Sequence, residues 1–222
     1  MIVTEIVGRF VPASNLTLLG LSEGVRVVYK PISGNRPLWD FDVATLAIRE
    51  VLTYRISEVM GLGAVPETVL GEGPLGPGAV QRFVEEDENA DPLALIRRDD
   101  PALWPIAVLD LVVNNADRKA GHLLTEAGTG RLYGIDHGLT FHPEDKLRTV
   151  LWGLAGRPIP RPLAAALSGL HAALANGLGD EVGDRLGPAE AAALEARVAA
   201  LLHDPVHPDP PAHRPPVPWP PV

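Results

Sequence analysis

The first third of the chain is a series of short apolar and β-branched runs, at residues 4–11, 16–21 and 25–31, broken by the polar pairs Ser14-Asn15 and Glu23-Gly24. That rhythm predicts three strands joined by turns, a twisted antiparallel meander. A polar loop, residues 33–42, follows, and then the spacing changes. Over 43–60, Leu46, Ile48, Val51, Leu52, Ile56 and Val59 fall mainly on one helical stripe, which Gly61 ends. Two further strands, 65–70 and 79–84, flank a Gly/Pro-rich turn. Beyond an acidic, hinge-like stretch at 85–91 the pattern becomes mostly helical, with helices predicted over 101–114, 160–177 and 188–202. An α+β half therefore precedes an α-rich half, with the boundary near residue 86. Residues 203–222 are dominated by proline, which breaks helix and sheet alike, and predict a disordered, polyproline-like tail able to offer itself to a partner's groove.

At 222 residues, 46% of them hydrophobic, the chain can bury one good core or two small lobes that share a cleft. The expected division is a first lobe at 1–86, a second at 87–202 and the tail at 203–222. A formal net charge of −9 argues against nucleic acid and against stable association with an anionic membrane, because such partners are held by clustered Lys and Arg. There is no cysteine, which excludes disulfides, thiolate metal sites and thiol nucleophiles. Neither a basic, apolar leader in residues 1–11 nor a run of eighteen apolar residues is present, and the expectation is a soluble, cytoplasmic protein.

The chemistry is concentrated in two stretches. Val113-Asn114-Asn115-Ala116-Asp117-Arg118-Lys119-Ala120-Gly121-His122 runs from a helix into a polar loop carrying an Asp-Arg pair. A short apolar hairpin then leads to Gly134-Ile135-Asp136-His137-Gly138, a second Asp two residues before a Gly. Phosphoryl transfer needs one carboxylate to orient the acceptor hydroxyl and another to hold the metal on the phosphates. The first half supplies the complementary cation: Lys30 closes the strand that begins at Val25, and Glu50 lies in the helix that follows. The order Lys, Glu, Asp-Arg, Asp-x-Gly is that of a nucleotide-binding lobe followed by a catalytic one.

Seven stretches make the pattern specific: Ser14-Asn15-Leu16-Thr17, Val28-Tyr29-Lys30-Pro31, Arg36-Pro37-Leu38-Trp39-Asp40-Phe41, Arg49-Glu50-Val51, Gly73-Pro74-Leu75-Gly76-Pro77-Gly78, Asn115-Ala116-Asp117-Arg118-Lys119 and Gly134-Ile135-Asp136-His137-Gly138. With them the chain resembles an actinobacterial family related to phosphatidylinositol 3- and 4-kinases, itself similar to type II phosphatidylinositol 4-kinases and HipA-type toxin kinases. The resemblance implies a bilobal protein-kinase-like α+β fold, a small antiparallel-sheet lobe with one helix above a helical lobe, binding ATP and Mg²⁺. It makes Lys30 the phosphate-binding lysine, Glu50 its partner, Asp117 the catalytic base with Arg118 beside it, and Asp136 the metal ligand. Ser14 and Asn15 fall where a turn covers the phosphates. Gln81 and Phe83 lie in the strand leading to the adenine-contacting hinge.

One position departs from the pattern. Five residues after the catalytic Asp, kinases carry an Asn that ligates a second Mg²⁺; here it is His122, a poor ligand for so hard a cation. His122 is thus a candidate metal ligand, a phosphate contact, or the mark of a pseudokinase that binds nucleotide without efficient turnover. A rival from another class, a metal-dependent hydrolase, draws on His122, His137 and His142 with Asp117 and Asp136. The expected reaction is transfer of the γ-phosphate of ATP to a hydroxyl of a protein or small molecule, a phosphoinositide among them.

Overall fold

The computed structural model describes residues 1–11 and 15–221. Strands β1 (Glu5–Arg9), β2 (Leu18–Ser22), β3 (Val25–Pro31), β4 (Thr68–Gly73) and β5 (Gly76–Arg82) form one antiparallel sheet in the order β1-β2-β3-β5-β4. Alternation along β3 places Val27 and Tyr29 on one face, packed with Val3, Leu18 and Val80 in a small core. Lys30, between Tyr29 and Pro31, points to the opposite face. Helix α1 (Leu46–Val59) packs against β4 and β5 and presents Leu52 and Ile56 to a second, larger core.

The Gly/Pro-rich segment expected as a turn is mostly strand. β4 and β5 run on to a tight turn, with Gly73 opposite Gly76 and Gly78 opposite Pro31. Glycine is what lets the backbones approach: a Cβ at Gly78 would lie 2.4 Å from the Lys30 carbonyl oxygen. The expected helix at 43–60 begins as a single 3₁₀ turn at Val43–Thr45, where the Asp42 carboxylate accepts from Ala44 N at 2.9 Å, and becomes α-helical at Leu46.

The second lobe comprises α2 (Pro92–Arg97), α3 (Trp104–Val113), the hairpin β6 (Leu123–Thr125) and β7 (Leu132–Gly134), then α4 (Arg161–Ala173), α5 (Gly179–Leu186) and α6 (Pro188–His203). Every residue of α3 but Pro105 is buried, so this helix is the axis of the large core. It ends at Asn114, which takes a left-handed conformation (φ 54°) and turns the chain into the polar loop. The helix expected over 160–177 ends at Ala173, ahead of a turn kinked at Asn176 and Gly177, and α5, not foreseen, follows. No described helix is long and apolar enough to cross a membrane.

The proline-rich segment is not a disordered tail. Residues 205–221 lie as a strap on the second lobe, with Ile159 N donating to Pro205 O at 2.7 Å, Thr149 N to Pro216 O at 3.0 Å and Ala120 N to Pro221 O at 2.9 Å. His207 is buried between the rings of Trp104 and Trp152. Proline lacks an N–H but keeps its carbonyl, so a proline-rich segment can dock by accepting hydrogen bonds. The groove it occupies belongs to its own chain.

Candidate active site

Lys30 Nζ donates to Glu50 Oε1 at 2.5 Å and to Asp136 Oδ1 at 3.1 Å. One side chain of the sheet thus joins helix α1 to the loop after β7. Glu50 is almost wholly buried, and burial pushes its carboxyl up while the Lys30 ammonium pulls it down. Burial alone would lower Lys30, but the two carboxylates outweigh it and hold the ammonium above its ordinary value. Asp136 is held well below the usual carboxylate range, chiefly by Lys30. Its side chain is 50% exposed and opens into the space between the lobes, and its backbone is left-handed (φ 60°).

Arg49, next to Glu50, fixes α1 against this loop by donating to the Thr140 carbonyl, and Thr140 Oγ1 donates to His137 O at 2.8 Å. The polar loop after α3 is equally determined. Asn115 Nδ2 donates to Asp110 Oδ1 at 2.8 Å, and Asn115 Oδ1 accepts from Asp117 N at 3.0 Å. Ala116 N donates to Leu139 O at 2.9 Å, which ties the two carboxylate-bearing loops together. Asp117 carries Lys119 as a partner at 3.1 Å, and burial raises its pKa against the pull of that ammonium.

Lys30, Glu50, Asp117 and Asp136 line one cavity of about 370 Å³, and Asn15 lines it with them. Asn15 Oδ1 accepts from Arg36 N at 3.0 Å, which joins the β1–β2 turn to the loop after β3. Ser14 lies outside the described residues.

Three expected site residues stand elsewhere. Arg118 is not a cleft residue: it is fully buried, its guanidinium paired in two bonds with the Asp110 carboxylate (2.8 and 2.9 Å) and donating to Ile135 O (2.8 Å). It locks the two loops from beneath. Gln81 is buried and donates to Thr68 Oγ1 at 2.8 Å, inside the sheet. Phe83 packs under the Arg26 guanidinium at 4.5 Å. Neither Gln81 nor Phe83 lines the cavity. Among the lining residues that were not foreseen are Lys119, the next residue after Arg118 in the motif, and Trp219 of the strap.

His122 Nε2 sits 3.4 Å from Asp136 Oδ2. Burial lowers its pKa to about 4, so it is a neutral imidazole near pH 7. The hydrolase constellation does not assemble. His137 is buried, accepting at Nε2 from Arg118 Nη2 at 2.7 Å, and His142 Nδ1 accepts from Glu144 N at 3.0 Å. Among the described residues no three His, Asp or Glu side chains are placed to hold a metal ion. Mg²⁺ needs no such cage, since one or two carboxylates, phosphate oxygens and water complete its shell. The half-exposed, deprotonated Asp136 fits that role.

An antiparallel sheet with one helix, set above a helical lobe with the cleft between them, is the protein-kinase-like fold. The crystal structure of a Helicobacter pylori proinflammatory kinase, CtkA, has the same fold: the two superpose with a TM-score of 0.60 at 13% identity, covering 91% of this chain and 92% of that one. No established family profile matches the sequence. The chain belongs to the family of Protein Rv2133c from Mycobacterium tuberculosis (strain ATCC 25618 / H37Rv), to which it is 40% identical over 254 aligned positions spanning 97% of this chain and 91% of that protein.

Proposed function

We propose that the chain is an ATP- and Mg²⁺-dependent phosphotransferase whose acceptor is a hydroxyl of a protein or small molecule. The observation that carries this reading is the meeting of Lys30, Glu50, Asp117 and Asp136, from four separate segments, at one cavity. Glu50 and the sheet orient Lys30 so that its ammonium reaches phosphate oxygens. Asp136 would hold Mg²⁺, which when bound would offset the negative charge on those oxygens. Asp117 accepts the hydrogen bond of the acceptor hydroxyl and aligns it for in-line attack on the γ-phosphorus. It takes the proton as the new P–O bond forms and the bond to ADP breaks. Its raised pKa suits a base, because it narrows the gap to the acceptor. Lys119, which also lines the cavity and pairs with Asp117, would set a second cation beside that base. Relatedness to phosphatidylinositol kinases, read from the sequence motifs, adds a phosphoinositide hydroxyl to the acceptor class.

His122 favours a second reading, a nucleotide-binding regulatory module with weak turnover, because a neutral imidazole stands where kinases place a second metal ligand. Transfer of label from γ-labelled ATP separates the two. The kinase labels an acceptor from a broad panel, and Asp117→Ala abolishes the labelling; binding of ATP with no transfer to any acceptor supports the regulatory module.

A further inference from the structure

The strap is pinned on both sides of the one tryptophan it carries. Before it, Pro216 O accepts from Thr149 N at 3.0 Å and from Trp152 Nε1 at 2.8 Å, and Pro218 is buried. Arg214 anchors the same stretch through the Asp145 carboxylate at 2.6 Å. After it, Pro221 O accepts from Ala120 N at 2.9 Å, three residues beyond Asp117. Trp219 sits between these anchors, and the prolines around it restrict the backbone.

Trp219 is nonetheless 89% exposed, while it lines the cavity with Asp117, Lys119, Pro37 and Leu38. The strap's own attachment makes no use of the indole, since carbonyls and buried proline hold it down. A segment that plugs a cleft buries its side chain there. A side chain that forms one wall of a binding site stays open until a ligand covers it, and a rigid aromatic with an apolar body and an N–H donor suits that use.

We propose that Trp219 is a ligand-contacting residue of this cleft. The strap pins the backbone on either side of Trp219 and so presents its indole to the cavity that Asp117 lines, where bound Mg-ATP would cover it and the ring would keep water from the γ-phosphate. The inference rests on the kinase reading above and adds to it that the C-terminal strap is part of the site. Exclusion of water there strengthens each charge interaction on the phosphates.

The test is acrylamide quenching of tryptophan fluorescence in full-length wild type and in Trp219→Phe, whose difference isolates Trp219 from Trp39, Trp104 and Trp152. With Mg-ATP at a concentration that saturates the rise in melting temperature, the quenching constant of the difference signal falls about threefold or more, as covering a wall residue requires. Trp219→Ala weakens Mg-ATP binding about fivefold, whereas Trp219→Phe, which keeps an aromatic face, stays within about twofold. An unchanged quenching constant at saturating Mg-ATP overturns the proposal and leaves the kinase reading standing. A melting temperature that Mg-ATP does not move overturns the kinase reading and this inference with it.

Discussion

Lys30 and Asp136, 106 residues apart in sequence, meet at 3.1 Å across the cleft between the sheet and the helical lobe. The same ammonium holds Glu50, so a single side chain from β3 links helix α1 to the loop after β7. Held from both sides in this way, the ammonium is fixed in place beside the Asp136 carboxylate, which under the proposed kinase reading would spare a bound triphosphate and its metal that reorganisation.

Removing the cation is expected to hurt stability as well as binding. Lys30→Met leaves the buried Glu50 carboxylate without its partner, and breaking one half of such a pair costs about 3 kcal/mol. Denaturant unfolding should show that loss, and adding Glu50→Gln should recover part of it because the orphaned charge is gone. Equal stability of Lys30→Met and wild type would mean that the pair contributes nothing to the fold.

Arg118 and Asp117 are neighbours with opposite consequences. Arg118→Met leaves Asp110 buried and uncompensated, at a cost of about 3–5 kcal/mol, and should appear as a lowered melting temperature. Asp117→Ala removes a partly exposed carboxylate and should abolish transfer while changing stability by about 1 kcal/mol or less. A stable, correctly folded Arg118→Met protein lacking turnover would return Arg118 to the catalytic group.

Stability should fall on mild acidification. His122 has a folded pKa of about 4, below the unfolded value of about 6.5, so between those limits the unfolded chain binds the proton and the folded chain does not. Its contribution is fully present above about pH 6.5 and is lost as pH drops toward 4, a change of about 3 kcal/mol. The buried His137 and His207, also lowered by burial, act in the same direction. Unfolding free energies at pH 7, 5.5 and 4.5 should decline in wild type, and less steeply in His122→Asn.

Gly78→Ala places a methyl group against the backbone of Lys30 and Pro31, with contacts of 2.4 and 2.8 Å. Backbone cannot swing aside as a flexible side chain can, so β3 and β5 must part where Lys30 is held. A stability loss of about 2 kcal/mol and weakened nucleotide binding are expected together. Retention of both at wild-type levels would show that the hairpin yields without moving Lys30.

The strands and the stripe of α1 were legible in the sequence because each rests on local spacing, and short motifs singled out the Lys, Glu and Asp positions that meet at the cavity. Arg118 was misplaced because its partner, Asp110, sits eight residues earlier in a helix that otherwise reads as apolar. A lone Asp inside such a helix is itself a signal, since a buried carboxylate requires a cation. The docking of residues 205–221 was hidden for a different reason. Proline content excludes helix and ladder, but it does not exclude docking through carbonyls, as Pro205, Pro216 and Pro221 do. Trp219 reaches the cavity only through that docking, a long-range contact that no local pattern encodes.

The central claim is that Lys30 and Asp136 together form a site for Mg-ATP, and the most direct test is the melting temperature of wild type and Asp136→Ala with and without it. At a hundred times the dissociation constant, binding stabilises the native state by about 2.7 kcal/mol, or a rise of about 5–10 °C for a chain of this size. The account predicts that rise in wild type, its dependence on Mg²⁺, and its loss in Asp136→Ala. An equal shift in both proteins, or none in wild type at millimolar Mg-ATP, would contradict it.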